Sequence, residues 1–282
     1  NEFFPTRLLK HEISLARETG IQCWETYGLS KYVLGPPLIR PCVSFLNRFL
    51  LLLDEVFLRR YKEIQIEKPV FITGHPRSGT TFLHRILTRT DEFSCFRFWH
   101  TFFPSLFART AFSPIADFLI RKQKDAVLAR DSGHSIALDS IEEEEFLFLK
   151  SYNSPMATLL LPLAFGERDH WDLFYFEKQP EDLKNEMMRL FKGCLKRQAY
   201  YLKKSQVLAK MPYAMLRFQS ITKVFPDAKF VYLIRSPYEV VPSYLSLIRE
   251  ILERFWSIEH LSEIQLRRIY DRAYEQSIRY YQ

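Results

Sequence analysis

Three short apolar runs rich in β-forming residues stand out from a chain whose other periodic segments have helical spacing. They are KPVFITG at 68–74, QVLAK at 206–210 and KFVYLIR at 229–235. The first ends in glycine and leads into GTTFLHRILTRT, in which apolar residues recur as on one face of a helix. AMLRFQSITKVFP, between the second and third runs, has the same helical spacing. Strands that alternate with helices in this way predict a parallel sheet.

The pattern predicts an α/β fold over residues 68–282, with a P-loop-like, short parallel sheet of four to five strands flanked by many helices. Residues 1–67 show helical spacing and no strand, so we expect an N-terminal helical segment packed on this core. The chain has 282 residues, of which 47% are apolar and 26% charged. These values are typical of a chain that folds around a large core.

The most apolar window is FLNRFLLLLDEVFL at 45–58. It is too short to span a bilayer and is interrupted by three charged residues: Arg48, Asp54 and Glu55. The favoured interpretation is an amphipathic helix packed on the domain. The alternative is peripheral membrane contact through residues 45–62, which the basic residues after the window support: Arg59, Arg60 and Lys62.

Charge and cysteine usage narrow the classes of partner. Lys and Arg number 40 and Asp and Glu 33, an excess of +7 that suits an anionic ligand or surface. The basic residues are spread out, so we expect no nucleic-acid binding. Four distant cysteines without a C-x-x-C pair argue against a zinc site, and we expect no metal. They favour a reducing compartment, so we expect a cytoplasmic location, with membrane association left open.

The loop after the first predicted strand has nearly the frame of a phosphate-binding P-loop, G-x-x-x-x-G-K-[ST]. Gly74 and Gly79 have the required spacing and Thr81 occupies the Ser/Thr position, but Thr80 stands where the lysine belongs. In a nucleotide triphosphatase that lysine bridges the β- and γ-phosphates, and the Ser/Thr holds Mg²⁺. The loop therefore does not fit ATP and Mg²⁺.

The cation of this loop is Arg77, which lies inside it. A sulfuryl donor carries a 5′-phosphosulfate and needs a short cradle, with a cation beside the oxygen that bridges phosphorus and sulfur. Pro76 would stiffen such a cradle, and Ser78–Thr81 would supply hydroxyls and N–H donors.

A second motif follows the third predicted strand, where Arg235 stands at the strand end and Ser243 lies eight residues later. An arginine can hold a phosphate through two hydrogen bonds. Pro237 and Glu239 suit the start of a helix just after it. Taken alone, Arg235 is equally consistent with a surface salt bridge.

Together these residues resemble the sulfotransferases that use 3′-phosphoadenosine 5′-phosphosulfate (PAPS). HPRSGTTFLH is similar to their 5′-phosphosulfate loop, in the arginine form of a broad, largely bacterial-type branch. The resemblance covers roughly residues 70–240. It implies that Arg235 and Ser243 bind the 3′-phosphate of the donor, that PAPS is the co-substrate and that adenosine 3′,5′-bisphosphate is the product.

Two further stretches fit the resemblance. VLAKMPYAMLRF places Lys210 at a strand end, where the family has a lysine, although Met211 and Tyr213 replace a serine and a histidine that are common there. HSIALDSIEEEEF is similar to a stretch with a histidine followed by an acidic cluster. This match aligns His134 and Glu142–Glu145 with the acceptor side of the site.

Sulfuryl transfer needs a base to take the proton of the acceptor hydroxyl. His134 and Glu143 are the candidates, and each has a structural alternative. His134 would otherwise be a loop or capping residue. The glutamates would otherwise form the solvated first turn of a helix capped by Ser140.

The resemblance implies transfer of a sulfuryl group from PAPS to a hydroxyl or amine of a small molecule, lipid or glycan. Arg77 and Lys210 would stabilise charge on the leaving phosphate oxygen, and the N–H groups of residues 74–81 would hold the 5′-phosphate. A P-loop kinase of small molecules and a non-catalytic phosphonucleotide-binding family member remain alternatives. The family commonly has a further donor-contacting segment near its C-terminus. Since none is found before Gln282, we expect the chain to be truncated or divergent there.

Overall fold

A computed structural model of the chain describes residues 6–34, 36–122, 126–128 and 136–282. Their α-helices are α1 Thr6–Tyr27, α2 Lys31–Leu34, α3 Pro36–Phe57, α4 Thr80–Leu87, α5 Phe98–Phe102, α6 Leu106–Arg121, α7 Glu145–Lys150, α8 Ala157–Leu160, α9 Trp171–Phe174, α10 Glu181–Leu202, α11 Phe218–Val224, α12 Pro237–Phe255 and α13 Glu263–Tyr281. The strands are β1 Val70–Thr73, β2 Ala126–Leu128, β3 Ile136–Ala137, β4 Leu208–Lys210 and β5 Lys229–Tyr232. The α/β class predicted from the pattern is confirmed.

The three apolar runs form one parallel sheet in the order β4–β1–β5. Ile72 in the central strand pairs with Lys210 on one side and Val231 on the other. The sheet thus has three strands within the described ranges, fewer than the four to five expected. The reason is that only three β-rich runs exist, and the segment after residue 236 forms the two long helices α12 and α13. β2 and β3 pair with each other in a separate antiparallel ladder.

The main core lies between the sheet and α10. Phe71 of β1 is buried, stacks on Phe230 at 5.5 Å between ring centroids, and also packs against Phe191 and Phe225. Leu8 of α1 belongs to the same buried cluster. Helices therefore bury β1 and β4, whereas β5, at the edge of the sheet, is largely exposed. The division of the chain at residue 67 stays a prediction.

A second core joins α12 and α13. Tyr244, Ile248 and Leu252 of α12 pack with Ile269 and Ala273 of α13, and all five are buried. This packing brings the last turn of α13 to the carboxyl end of the sheet, where the loops after the strands meet. Within the described part of the chain, no helix has both the length and the apolar content needed to cross a membrane.

Candidate active site

The backbone between β1 and α4 makes a tight loop that glycine allows. Gly74 has φ +145°, and a Cβ at this position would lie 2.5 Å from the Leu233 carbonyl oxygen. Gly79, with φ +96°, caps the start of α4 in the left-handed region. Arg77 also has a positive φ, +78°. The loop is therefore pressed against the connection after β5, with the N-terminus of α4 at its end, an arrangement that suits an anion.

Ser78 stabilises the loop from within. Its N–H and its hydroxyl both donate to the His75 carbonyl, at 3.0 and 2.6 Å. Thr80 is buried at the start of α4. The Ser78 hydroxyl, predicted to face a ligand, thus holds the turn in its shape.

His75 anchors the loop to the C-terminal helix. Its ring is buried, lies parallel to Tyr281 and meets Tyr244 and Tyr280 edge-on. Nδ1 lies 2.7 Å from the Pro76 carbonyl oxygen, which can only accept, so this nitrogen carries the proton. Nε2 lies 3.0 Å from the Ser277 hydroxyl. Burial lowers the pKa of His75, which makes it a neutral positioning residue.

The last turn of α13 also contacts the segments after the other two strands. The Tyr280 hydroxyl donates to the Pro212 carbonyl at 2.6 Å, beyond β4. The Tyr281 hydroxyl donates to the Arg235 carbonyl at 3.1 Å, beyond β5. Sequence reasoning missed this role, because helical spacing over residues 263–281 shows a helix and not what its end touches.

On the open side of the loop, two arginines meet. Arg77 Nε donates to the Ser243 hydroxyl at 2.9 Å, and Arg235 Nη1 donates to the Arg77 carbonyl at 3.3 Å. Arg235 also pairs with Glu239 at 2.7 Å, one turn into α12. Both arginines are exposed. We call Arg77, Arg235 and Ser243 the open side. The loop and the segment after β5, singled out separately in the sequence, thus form one surface.

On the other side of the loop, Lys210 is buried at the end of β4. Its side chain is 2% exposed. The Nζ donates to the Thr81 hydroxyl at 3.1 Å and lies 3.7 Å from Glu143 Oε2. The ammonium therefore lies beside the start of α4, next to the loop position that lacks a lysine.

The acidic run beside Lys210 faces the interior. Glu142, Glu144 and Glu145 are buried, so the solvated-turn interpretation is wrong. The Glu144 carboxylate accepts the backbone N–H of Lys210 at 2.7 Å, and burial raises its pKa to about 8. Glu145 accepts two hydrogen bonds of 2.8 Å from Arg217, which is also buried.

α7 begins at Glu145, and Ser140 does not cap it. The Ser140 hydroxyl instead donates to the Ala137 carbonyl at 2.7 Å, because the chain makes a separate turn before the glutamates. Burial raises the pKa of Glu142 as well. Glu143 alone of the four is not buried, at 15% side-chain exposure, and so it is the carboxylate of this run that a substrate could reach.

The structure thus brings together residues 74–81, Lys210, Glu143, Arg235 and Ser243, while His134 lies outside the described residues. Met211 and Tyr213, the two departures from the family pattern, are buried.

Among the residues described, no three His, Cys, Asp or Glu side chains are grouped as metal ligands would be. His84 beside Lys210 has its pKa lowered to about 3 by burial and by the lysine charge, so it is neutral.

A strand, a glycine loop and a helix, with cations at the ends of the neighbouring strands, define an α/β protein of the P-loop-like kind. The model of the sulfotransferase family matches residues 69–281, well over half of the chain. The chain therefore belongs to the sulfotransferase family, in agreement with the resemblance seen in its motifs.

Among curated relatives, the chain is similar to omega-hydroxy-beta-dihydromenaquinone-9 sulfotransferase Stf3 of Mycobacterium bovis and of Mycobacterium tuberculosis. Each is 31% identical over 195 residues, which cover 68% of this chain and 48% of the relative. The chain thus spans about half the length of these curated relatives.

Two solved structures share the fold. Sulfotransferase STF1 of Mycobacterium tuberculosis H37Rv aligns with a TM-score of 0.63 at 17% identity, over 95% of this chain and 74% of that one. Sulfotransferase STF9 of Mycobacterium avium aligns with a TM-score of 0.59 at 21% identity, over 86% of this chain and 65% of that one. At these identities the likeness concerns the fold alone.

Proposed function

We propose that this protein transfers a sulfuryl group from PAPS to a hydroxyl or amine of an acceptor. Family membership supports the reaction class. The observation that carries the proposal is the position of Lys210, whose Nζ lies 3.1 Å from the Thr81 hydroxyl although the loop itself has no lysine. Lys210, at the end of the neighbouring strand β4, thus lies beside the loop, whereas a P-loop kinase carries its lysine within the loop.

Three segments would hold the donor. The N–H groups of residues 74–81 would bind the 5′-phosphate at the N-terminus of α4. Arg235 and Ser243 would bind the 3′-phosphate, through a bidentate guanidinium contact and a hydroxyl. Arg77 connects the loop to Ser243 through a hydrogen bond of 2.9 Å. An anion bound between these two side chains would replace this hydrogen bond.

The chemistry would run between the open side and Lys210. Glu143 would accept the proton of the acceptor hydroxyl, whose oxygen then forms a bond to sulfur while the bond from sulfur to the phosphate oxygen breaks. Arg77 and Lys210 would stabilise the negative charge left on that phosphate oxygen. His134 remains the alternative base. Adenosine 3′,5′-bisphosphate would be the product, and we expect the reaction to need no metal.

For the acceptor we propose a lipid-like molecule within the wider set of small molecules, lipids and glycans. The Stf3 relatives are by name sulfotransferases of a dihydromenaquinone. A lipid-like acceptor would agree with a cytoplasmic enzyme that contacts a membrane through residues 45–62.

Turnover with labelled PAPS, beside labelled ATP and against an acceptor library, tests the proposed reaction. We expect sulfate transfer without added Mg²⁺ and no phosphate transfer. Phosphate transfer from ATP would indicate the kinase alternative. Tight binding of adenosine 3′,5′-bisphosphate without turnover on any acceptor would instead favour a non-catalytic family member.

A further inference from the structure

Helix α3 directs its charged residues toward the protein. It carries four of them: Arg40, Arg48, Asp54 and Glu55. Arg40 donates to the Leu149 carbonyl at 2.6 Å and lies over the Tyr152 ring at 4.2 Å. Arg48 pairs with Glu12 of α1 at 2.8 Å, where both side chains are 9% exposed. The helix therefore packs on the protein through both of its basic side chains.

Of the two acidic residues at the end of α3, Asp54 is buried and Glu55 is partly buried, and both pair with Arg197. Asp54 accepts from Arg197 Nε and from the Leu106 N–H, each at 2.8 Å, and so caps α6. Glu55 accepts from Arg197 Nη2 at 2.8 Å. Every charge of α3 is thus engaged with a neighbouring element, and none is left on its outer side.

The outer side of α3 is apolar. It exposes Ile39, Val43, Phe45, Leu46, Phe49 and Phe57, with Phe45 at 66% and Phe57 at 67%. At about 100° per residue these positions fall on one side of the helix. α6 packs along α3, with the ring centroids of Phe57 and Phe107 6.2 Å apart. α6 adds exposed Ile115 and Phe118 to this surface. We call this surface the α3–α6 face.

Exposed basic residues lie at both ends of the α3–α6 face. Those after α3 are Arg59, Arg60 and Lys62, and those at the end of α6 are Arg121 and Lys122. The exposed acidic residues beside them are Glu63 and Asp117. A surface with an apolar centre and a basic excess at its edges matches the two layers of a bilayer surface, acyl chains below and anionic headgroups above.

We propose that the α3–α6 face docks on an anionic lipid bilayer. The inference rests on the membrane contact proposed above and extends it to α6. Large aromatic side chains on two adjacent helices would enter the headgroup boundary. Arg59, Arg60, Arg121 and Lys122 would contact lipid phosphates, while Lys62 pairs with Glu55. The test measures binding rather than turnover, so its failure would be distinct from failure of the proposed reaction.

The chain offers a natural probe position on this face. Of its four free cysteines, Cys42 of α3 is exposed and the other three are buried. A polarity-sensitive dye on Cys42 should shift to the blue when vesicles of phosphatidylcholine with about one third phosphatidylglycerol are added. We expect binding at least about tenfold weaker to pure phosphatidylcholine, and weaker binding in high salt. Flotation of unlabelled protein checks that the dye does not cause the binding.

A pair of double variants distinguishes binding through the α3–α6 face from nonspecific hydrophobic adsorption to vesicles. The double substitution Phe45→Ser and Phe49→Ser should weaken binding to anionic vesicles at least about tenfold, because it removes inserted apolar surface. Ile264→Ser with Tyr274→Ser, which removes exposed apolar side chains from α13, should bind as the unchanged protein does. Equal melting temperatures would show that both variants are folded.

Three results would overturn the proposal: no binding to either vesicle, equal loss in both double variants, or no loss in either. Analytical ultracentrifugation covers the competing occupant, a second copy of the chain. If the protein does not bind vesicles but forms a dimer, and Phe45→Ser with Phe49→Ser dissociates that dimer, the face would be assigned to self-association instead.

Discussion

The two sides of the glycine loop both carry charged residues, but in opposite environments. On the open side, Arg77, Arg235 and Ser243 contact one another at the surface. On the other side, which we call the buried side, Lys210, Glu144 and Glu145 are enclosed. Charged groups at the surface stay hydrated and can turn to a ligand, whereas enclosed ones need a fixed partner for each charge. The open side is therefore suited to binding, and the buried side to holding the site in place.

The largest effect that this comparison predicts is a difference in stability between variants of the two sides. Glu145→Ala should lower the free energy of unfolding by about 3–5 kcal/mol, because it leaves the buried Arg217 guanidinium unpaired. Glu239→Ala, which removes the exposed partner of Arg235, should cost less than about 1 kcal/mol. Urea denaturation of the two variants measures both values. Equal losses would mean that burial does not separate the two sides.

The next largest effect concerns catalysis on the open side. Arg77→Ala should lower kcat by about 10²–10³, the usual loss for one group that stabilises developing charge. Its stability should change little, because the side chain is exposed. Arg77→Lys should restore part of the rate. Full turnover of Arg77→Ala with labelled PAPS would contradict the role given to the loop.

A smaller effect concerns binding at the same side. Adenosine 3′,5′-bisphosphate should bind about 10- to 150-fold better than AMP, since one bidentate charged contact contributes about 1.5–3 kcal/mol. Arg235→Ala should remove most of this preference and leave AMP binding unchanged, and Ser243→Ala should do so more weakly. Titration calorimetry gives both affinities. Equal affinity for the two nucleotides in the unchanged protein would argue against the proposed function.

The last effect is a pH dependence on the buried side. Burial raises the pKa of Glu144 from its ordinary value of 4.5 to about 8. The unfolded chain therefore releases this proton first, and stability should fall as pH rises between these values, by up to about 1.4 kcal/mol per pH unit. Glu144→Gln should flatten this slope in urea melts taken across that range. An unchanged slope would assign it to other groups, with Glu142, whose pKa is also raised, as the first candidate.

Much of the site was predictable because its parts are local. The β1 strand, the glycines at 74 and 79 and the start of α4 follow one another directly, so pattern and spacing describe them. Lys210 and Arg235 each stand at the end of a recognisable strand. The family resemblance implied that these cations lie near the loop, and the parallel sheet brings them there because it places the carboxyl ends of its strands at one edge. The predicted α/β class is confirmed, and within the described ranges the sheet has three strands, because only three β-rich runs are present.

The acidic run shows where local reasoning stopped. Four successive glutamates are typical of a solvated helix turn, and nothing in EEEE tells which one faces the solvent. Glu145 is buried because Arg217 lies opposite it, 72 residues away in sequence, and Glu144 because it accepts the Lys210 N–H, 66 residues away. These partners come together only in the folded structure, so local sequence patterns cannot identify them.

The sequence by itself determined the α/β class and the glycine loop between β1 and α4, because each depends on residues close together in the chain. The cations around the loop were identified through the family resemblance of their motifs. Only the tertiary structure decided that His75 is tied to Ser277, 202 residues away, and that α3 turns its charges inward and its phenylalanines outward. An apolar stripe shows that a helix has two sides. Which side meets the protein depends on the partners that α1, α6 and α10 offer, since an arginine or aspartate is buried only where an opposite charge or a carbonyl receives it.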